Sequence, residues 1–581
     1  MKARFFKYIL LVFILILNYS CNDFLEEVNP NELSTDNFWK TLDDCETGLI
    51  SVYGTFNDIK LLSIEQESHR SDLTHTAVED ATNPYYNQTF TDASDGPNDK
   101  WNALYTGIFR TNQVIEGLSN LSSQLTTNED IQRADIIMAQ ARFFRGLFYF
   151  YLHSSFNKGS VVIYKNVPKE ESDFYKPLSP EEEVQEFFRE DLNFAYENLP
   201  AQWQKDKGRV TAGAAASVLG TSYLYDKNYE IAALYFKDVI ENADYGYALA
   251  PHVGDNFTTR NELNSESILE IVYSLNYKSE VNVWSDLQTA NNLNFSFSRV
   301  GGWSLVYPSA WLIMAYKNDS IDINDPRNYV TDENGNTRLR KYSLRTSYSI
   351  ALVDDPDLDY YGAAPAQMAE FNEKKSAYYR KYTNWDIVSN ENDIVPNLRS
   401  GVNVRVIRLA DIYLMYAECL IKGGSDESGV QEALKYINRV RKRSALQLLG
   451  LQNSGEYPSS DHDNKTYNAK MVMDHLMYVE RPLELSVEGH AIRTIDLRRW
   501  GITRQRFMDL SQQIYHLVDF PYTKINGESD VRWQSILVEG GSSNTTTNVQ
   551  DYIQAASNYN EEAHAYWPLP SREIIANPVL K

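Results

Sequence analysis

The stretch VLGTSYLYDKNYEIAALYFKDVI, residues 218–240, most constrains how this chain can fold. Leu219 and Gly220 are followed by Tyr223, then by Ala232 and, four residues on, Phe236. Small residues at these offsets let two helices approach closely, and the aromatics fill the groove between them. Such a pair cannot bury its faces alone, so the chain needs further helices to stack on it. The first half supplies them. Phe38, Leu42, Cys45, Leu49, Val52 and Phe56 are spaced by three and four, one face of a helix. Leu104, Ile108, Val114, Ile115 and Leu118 repeat the pattern. IIMAQARFFRGLFYFYL is apolar nearly all round, as a central helix is. RLADIYLMYAECL and VQEALKYINRVRKR form another pair, parted by the helix stop Gly423-Gly424.

The offsets are those of the tetratricopeptide skeleton L-G-x₂-Y…A-x₃-F, without its closing proline; Asp244 stands near that place. The units recur irregularly, which predicts an all-α fold of tetratricopeptide-like helix-turn-helix repeats with long irregular loops. Residues 244–400 change texture and are rich in Asn, Asp, Ser, Gly and Tyr. Asn334-Gly335 predicts a small exposed β-hairpin there. The many aromatics of this excursion favour order over disorder. Cys45 and Cys419 fall in apolar-periodic stretches and read as inert core thiols.

Charge and motif searches narrow the function. A formal charge of −24 repels phosphate backbones and argues against nucleic acid as a partner. The nine histidines are scattered, and no H-E-x-x-H, Walker A loop, G-x-S-x-G or G-x-G-x-x-G is present. Neither a cofactor nor a metal is expected. DENGN, residues 332–336, opens like a calcium loop, but Thr337 stands where the glycine belongs. Glu480, Glu484 and Glu488 recur every four residues on one predicted helix face. Paired carboxylates can hydrolyse a glycosidic bond, but these point the same way rather than across a substrate. With Arg481, Arg493, Arg498 and Arg499 close in sequence, structural ion pairs are the better reading.

Aromatics on polar loops are the remaining candidates. Tyr85 and Tyr86 lie in EDATNPYYNQTFTDASDGPND, and Trp284, Trp303 and Tyr307 lie in NVWSDLQTANNLNFSFSRVGGWSLVYPS. A flat ring stacks on the apolar face of a sugar while Asp, Asn or Arg bonds its hydroxyls. Asp72 and Asn291 complete the candidate ligand-binding set.

The N-terminus reads as a signal. Lys2, Arg4 and Lys7 precede the apolar run Tyr8–Leu17, too short to span a bilayer but right for a signal-peptide core. Ser20 before Cys21 resembles a lipoprotein signal, although Asn18 stands where such signals carry an aliphatic residue. Lipidation of Cys21 is therefore expected, giving a membrane anchor to a chain with no other apolar span.

In order along the chain, several stretches resemble the RagB/SusD family of outer-membrane nutrient-binding lipoproteins of Bacteroidetes. After Cys21 comes DFLEEVNPNELSTDNFWKTLDD, then WNALYTGIFRTNQVI with Trp101, Leu104, Tyr105, Ile108 and Asn112. ARFFRGLFYFYL, GRVTAGAAASVLGTSYLY, VRVIRLADIYLMYAECL, ERPLELSVEGHAIRTIDLRRWG and YWPLPSREIIANP follow. Two stretches depart from the family pattern, Pro482 within ERPLEL and SSFNKGSVVIY after the third helix. The resemblance implies three segments: a signal peptide at 1–20, an N-terminal part at 21–240, and a C-terminal part at 241–581 whose loop-rich ligand region is 244–400. It also implies no enzymatic activity, a glycan ligand, and delivery to a SusC-like TonB-dependent outer-membrane transporter. The expected location is the outer membrane, lipid-anchored and facing outward. Two other readings stay open on the residues alone: a scaffold that binds only protein, and a glycoside hydrolase.

Overall fold

The computed structural model describes residues 38–75, 82–275, 289–332, 334–372, 375–395, 399–540 and 548–580. Cys21, Trp284 and the signal-like segment lie outside them. The longer helices are α1 (Leu42–Phe56), α2 (Asp95–Leu121), α3 (Asn128–Ser155), α4 (Glu181–Asn198), α5 (Ala212–Tyr225), α6 (Tyr229–Glu241), α7 (Leu409–Leu420) and α8 (Val430–Arg443). The fold is all-α with small β elaborations, as the sequence predicts.

Local chemistry sets the helix ends. α1 starts at Leu42 because Thr41 and Asp44 form a capping box, each side chain taking the other's backbone N–H. Thr127 and Thr211 cap α3 and α5 through their hydroxyls. α3 packs between α2 and α4, which explains its all-round apolarity; Phe143, Phe144, Leu147 and Phe148 have no exposed surface. α5 and α6 form the expected pair. A Cβ on Gly220 would lie 2.7 Å from the Phe236 ring, so only glycine allows this approach. α6 then packs on α7 and α7 on α8. The helical stack therefore continues across an insertion of more than a hundred residues.

That insertion leaves and returns through one neck. Strand Ser267–Ile271 pairs antiparallel with Val404–Arg408, which bonds the departing chain to the returning one. Beyond the neck Tyr307, Tyr360, Tyr361, Phe371, Tyr378 and Trp385 form a smaller cluster, while Phe297, Trp311, Tyr316, Tyr379 and Tyr382 join the main core. The predicted hairpin is present as Tyr329–Thr331 paired with Thr337–Leu339, and Gly335 turns it at φ +83°. Asp332 caps this turn, accepting the N–H groups of Asn334 and Asn336, so its carboxylate serves the hairpin. Among the described residues no cluster of His, Cys, Asp or Glu is placed to hold a metal ion, and no helix is long and apolar enough to cross a membrane. Cys45 and Cys419 are buried free thiols, and burial pushes the Cys45 thiol up to about 11.

Candidate functional site

The loop 289–308 carries Trp303, the most exposed of the candidate aromatics among the described residues. Ser298-to-Ser304 folds back tightly on Asn294–Ser298, with Trp303 N–H donating to the Phe295 carbonyl at 2.8 Å. Both glycines of VGGWS are required. A Cβ on Gly301, at φ +90°, would meet Asn390 Oδ1 at 2.2 Å, and one on Gly302 would meet the Ser298 carbonyl at 2.5 Å. The turn leaves Trp303 56% exposed, its ring propped on Phe295 at 3.9 Å between centroids.

A buried carboxylate clamps this platform from below. Glu391 accepts from Asn294 Nδ2 (2.8 Å), Asn384 Nδ2 (2.6 Å), the Asn384 N–H (2.8 Å) and the Tyr361 hydroxyl. Its own N–H donates to the Val300 carbonyl at 3.0 Å. Around the rim stand Asn390, Asn392 and the Arg299–Glu370 pair, whose ions approach to 2.6 Å. An apolar ring bordered by amides and charges can stack on one face of a sugar and bond its edge hydroxyls. Sequence reasoning missed Glu391, because nothing in SNENDIVP marks one carboxylate for burial.

The other candidates fare differently. Asp72, Asn291 and Tyr307 were candidates to touch ligand, but their side chains are buried. The reason is that each loop folds back on another segment. Asp72 receives Arg493 Nε at 2.7 Å and Arg506 Nε at 2.8 Å; burial opposes its charge, but the two guanidiniums prevail and bring it down to about 2. Asn291 donates to the Val402 carbonyl at 2.6 Å and bridges to Ser400. Tyr307 pairs with His75 and its ring stacks on the imidazole at 5.3 Å. Tyr85 and Tyr86 are half-buried, and their hydroxyls accept the N–H groups of Gly96 (2.8 Å) and Tyr552 (3.0 Å). Asp72, Tyr86 and Tyr307 thus converge on the Thr74–His75 and Tyr307–Pro308 strand pair, while Asn291 and Trp303 share the adjoining loop.

Glu480, Glu484 and Glu488 do not share one helix face. A π-helical turn, Leu476–Glu480, runs into the short helix Arg481–Glu484, which ends before Glu488; Pro482, lacking an N–H, sits in its first turn. All three carboxylates are buried in ion pairs, but with partners distant in sequence. Glu480 pairs with Arg345 and Arg441, Glu484 with Arg408 and Arg443, and Glu488 with Arg408 and Lys381. Burial raises Glu484, but Arg443, Arg408 and Arg345 outweigh it and hold the carboxyl at about 2. A carboxyl so held cannot serve as a general acid near neutrality.

Helix pairs stacked in a continuous layer, with a loop-rich segment inserted between two paired strands, define a class of helical-repeat proteins. A family model described as the SusD family matches residues 265–581, and one described as starch-binding associating with outer membrane matches residues 23–224. The chain belongs to the SusD family. It is 24% identical to the SusD-like protein P25 of Formosa agariphila over 592 aligned positions, covering 98% of this chain and 97% of that one. It is 27% identical to a SusD-like protein of Bacteroides ovatus over 365 positions, 60% of this chain and 59% of the relative. Among solved structures, a SusD-like carbohydrate binding protein of Bacteroides fragilis superposes with a TM-score of 0.67 at 22% identity, covering 94% of this chain and 100% of the other. A laminarin binding SusD-like protein gives 0.62 at 22%, covering 93% and 98%. These two likenesses show the fold.

Proposed function

We propose that the chain is a cell-surface lipoprotein that binds oligosaccharides or polysaccharides and hands them to a TonB-dependent outer-membrane transporter, without catalysis. The family match over residues 265–581, within which Trp303 stands exposed, carries this reading. Two of its structural likenesses bear names that specify carbohydrate or laminarin, which supports a glycan ligand. The Trp303 ring is the stacking platform, Asn390, Asn392 and Arg299 meet hydroxyls, and Glu391 is a positioning residue. Trp284 is kept as a further ligand contact on the sequence alone. Lipid on Cys21 tethers the protein beside its transporter, raising their effective concentration.

Calorimetry against a panel of glucans and other glycans tests the ligand. A few stacking contacts give micromolar to millimolar dissociation constants, about −8 to −4 kcal/mol. Trp303→Ala is expected to weaken binding at least about tenfold, or 1.4 kcal/mol. Binding unchanged by Trp303→Ala removes this surface from the reading. Sugar release by the wild-type protein overturns the non-catalytic assignment, and a Cys21→Ser protein still held in the outer membrane overturns the anchor.

A further inference from the structure

The helical layer holds a second aromatic concavity. Between α2, segment 164–176 and helix Ser571–Ala576 lies a cleft of about 560 Å³, which shares no segment with the Trp303 surface. Ligand sites occupy roughly 300–1,000 Å³. One wall is a run of rings: Trp101 on Tyr105 (centroids 4.6 Å), Tyr105 against Tyr164 (5.8 Å, 84°), and Tyr164 beside Phe174 (6.3 Å). Phe109, one helical turn beyond Tyr105, adds another. Phe174 is 49% exposed and Phe109 38%, although most phenylalanines of this chain are buried. Two exposed phenyl rings facing one cleft form an apolar patch that solvent alone does not favour.

The platform is preformed. The Tyr105 hydroxyl donates to the Val162 carbonyl (2.7 Å), the Tyr164 N–H to the Tyr149 hydroxyl (2.7 Å), and the Tyr164 hydroxyl to the Phe174 carbonyl (2.9 Å). Opposite, Asn577 Nδ2 donates to the Lys176 carbonyl at 2.8 Å and ties the helix Ser571–Ala576 to this segment. Polar groups stand among the rings. Burial holds the Glu573 carboxyl above its ordinary range against hydrogen bonds from Trp101 and Asn577. Exposed Asn102 and Glu171 complete the edge.

We propose that this cleft is a second carbohydrate site, which takes a neutral pyranose oligosaccharide by stacking its faces on Phe109, Tyr164 and Phe174 and setting its hydroxyls against Glu573, Asn102 and Glu171. The lining selects this class. A pyranose offers an apolar C–H face ringed by hydroxyls, which matches rings edged by two carboxylates and an amide. An apolar peptide side chain would strip water from those polar groups and return no hydrogen bond. Because the cleft and the Trp303 loop are separate, the chain can grip two stretches of a polysaccharide, and the grip gains avidity.

Hydrogen–deuterium exchange of the full chain with laminarihexaose, cellohexaose and maltohexaose reads both sites separately. Protection of peptides spanning 164–176 and 571–577 is expected with at least one hexasaccharide. Protection confined to 289–308 overturns the second site and leaves the Trp303 surface standing. Protection confined to the cleft supports it and removes the Trp303 reading; protection at neither overturns both. The double variant Phe109→Ala/Phe174→Ala, made in the Trp303→Ala background, is expected to lose the residual affinity at least tenfold. Both rings are exposed, so the variant should fold, and an unchanged thermal midpoint verifies this. Residual affinity unaltered by the double variant overturns the proposal.

Discussion

Asp72 and Glu484 show how much of this chain's polarity is spent on holding it together. Each carboxyl sits at about 2 in the folded chain, below the ordinary 3.8 and 4.5. A depressed carboxyl stabilises the fold above its unfolded value, and that contribution is lost as pH falls toward the folded one. His69 acts in the same direction: burial, with His75 close by, lowers it from 6.5 to about 3, so protonation favours the unfolded chain. The urea midpoint is therefore expected to decline as pH falls below 6.5 and more steeply below 4.5, which equilibrium denaturation across this range checks. Asp72→Asn leaves Arg493 and Arg506 without their charge partner and should cost about 3–5 kcal/mol. Exposure of Trp303 was legible in VGGWS, since a paired glycine turn in a polar loop throws out its neighbour. Burial of Asp72, Asn291 and Tyr307 was not, because composition marks a loop without saying what the loop packs against.

The helix pairs were legible because their signal is local. A period of three and four sets the buried face, and small residues mark where two axes approach. Gly220 is the sharpest case. Gly220→Val should drive a branched side chain into Phe236 and cost about 1–3 kcal/mol, measurable by urea unfolding. Gly54, in α1, has nothing within 4 Å of its added Cβ, so Gly54→Ala should instead stabilise by about 0.5–1 kcal/mol. Opposite signs from two helical glycines would confirm that packing, and not helix propensity alone, decides their role. The glutamate segment was misjudged as one helix face because a π turn and an early helix end break the four-residue register. Its partners Arg345, Arg408 and Arg443 come from elements far away in sequence, which no local pattern reveals.

At the scale of the molecule, the stack and the inserted lobe meet at the neck and along a shared core, and Arg408 locks the neck. This buried guanidinium, at the end of the returning strand, bonds Glu266, Glu484 and Glu488 at 2.7–2.8 Å. Arg408→Met should take one cation from each of three buried carboxylates, leaving Glu266 and Glu484 to Arg443 and Glu488 to Lys381, and cost about 3–5 kcal/mol. Limited proteolysis should then cut first between residues 271 and 404, with the helical stack outlasting the lobe. The neck also fixes what length means for this fold. Because strands Ser267–Ile271 and Val404–Arg408 hold the two ends of the excursion together, the closure entropy of everything between them grows only logarithmically, about 0.6 kcal/mol for each doubling. Length is therefore free only where the excursion leaves the shared core: its outer loops can lengthen at little cost, whereas Phe297, Trp311, Tyr316 and Tyr379 are common property of lobe and stack and must stay.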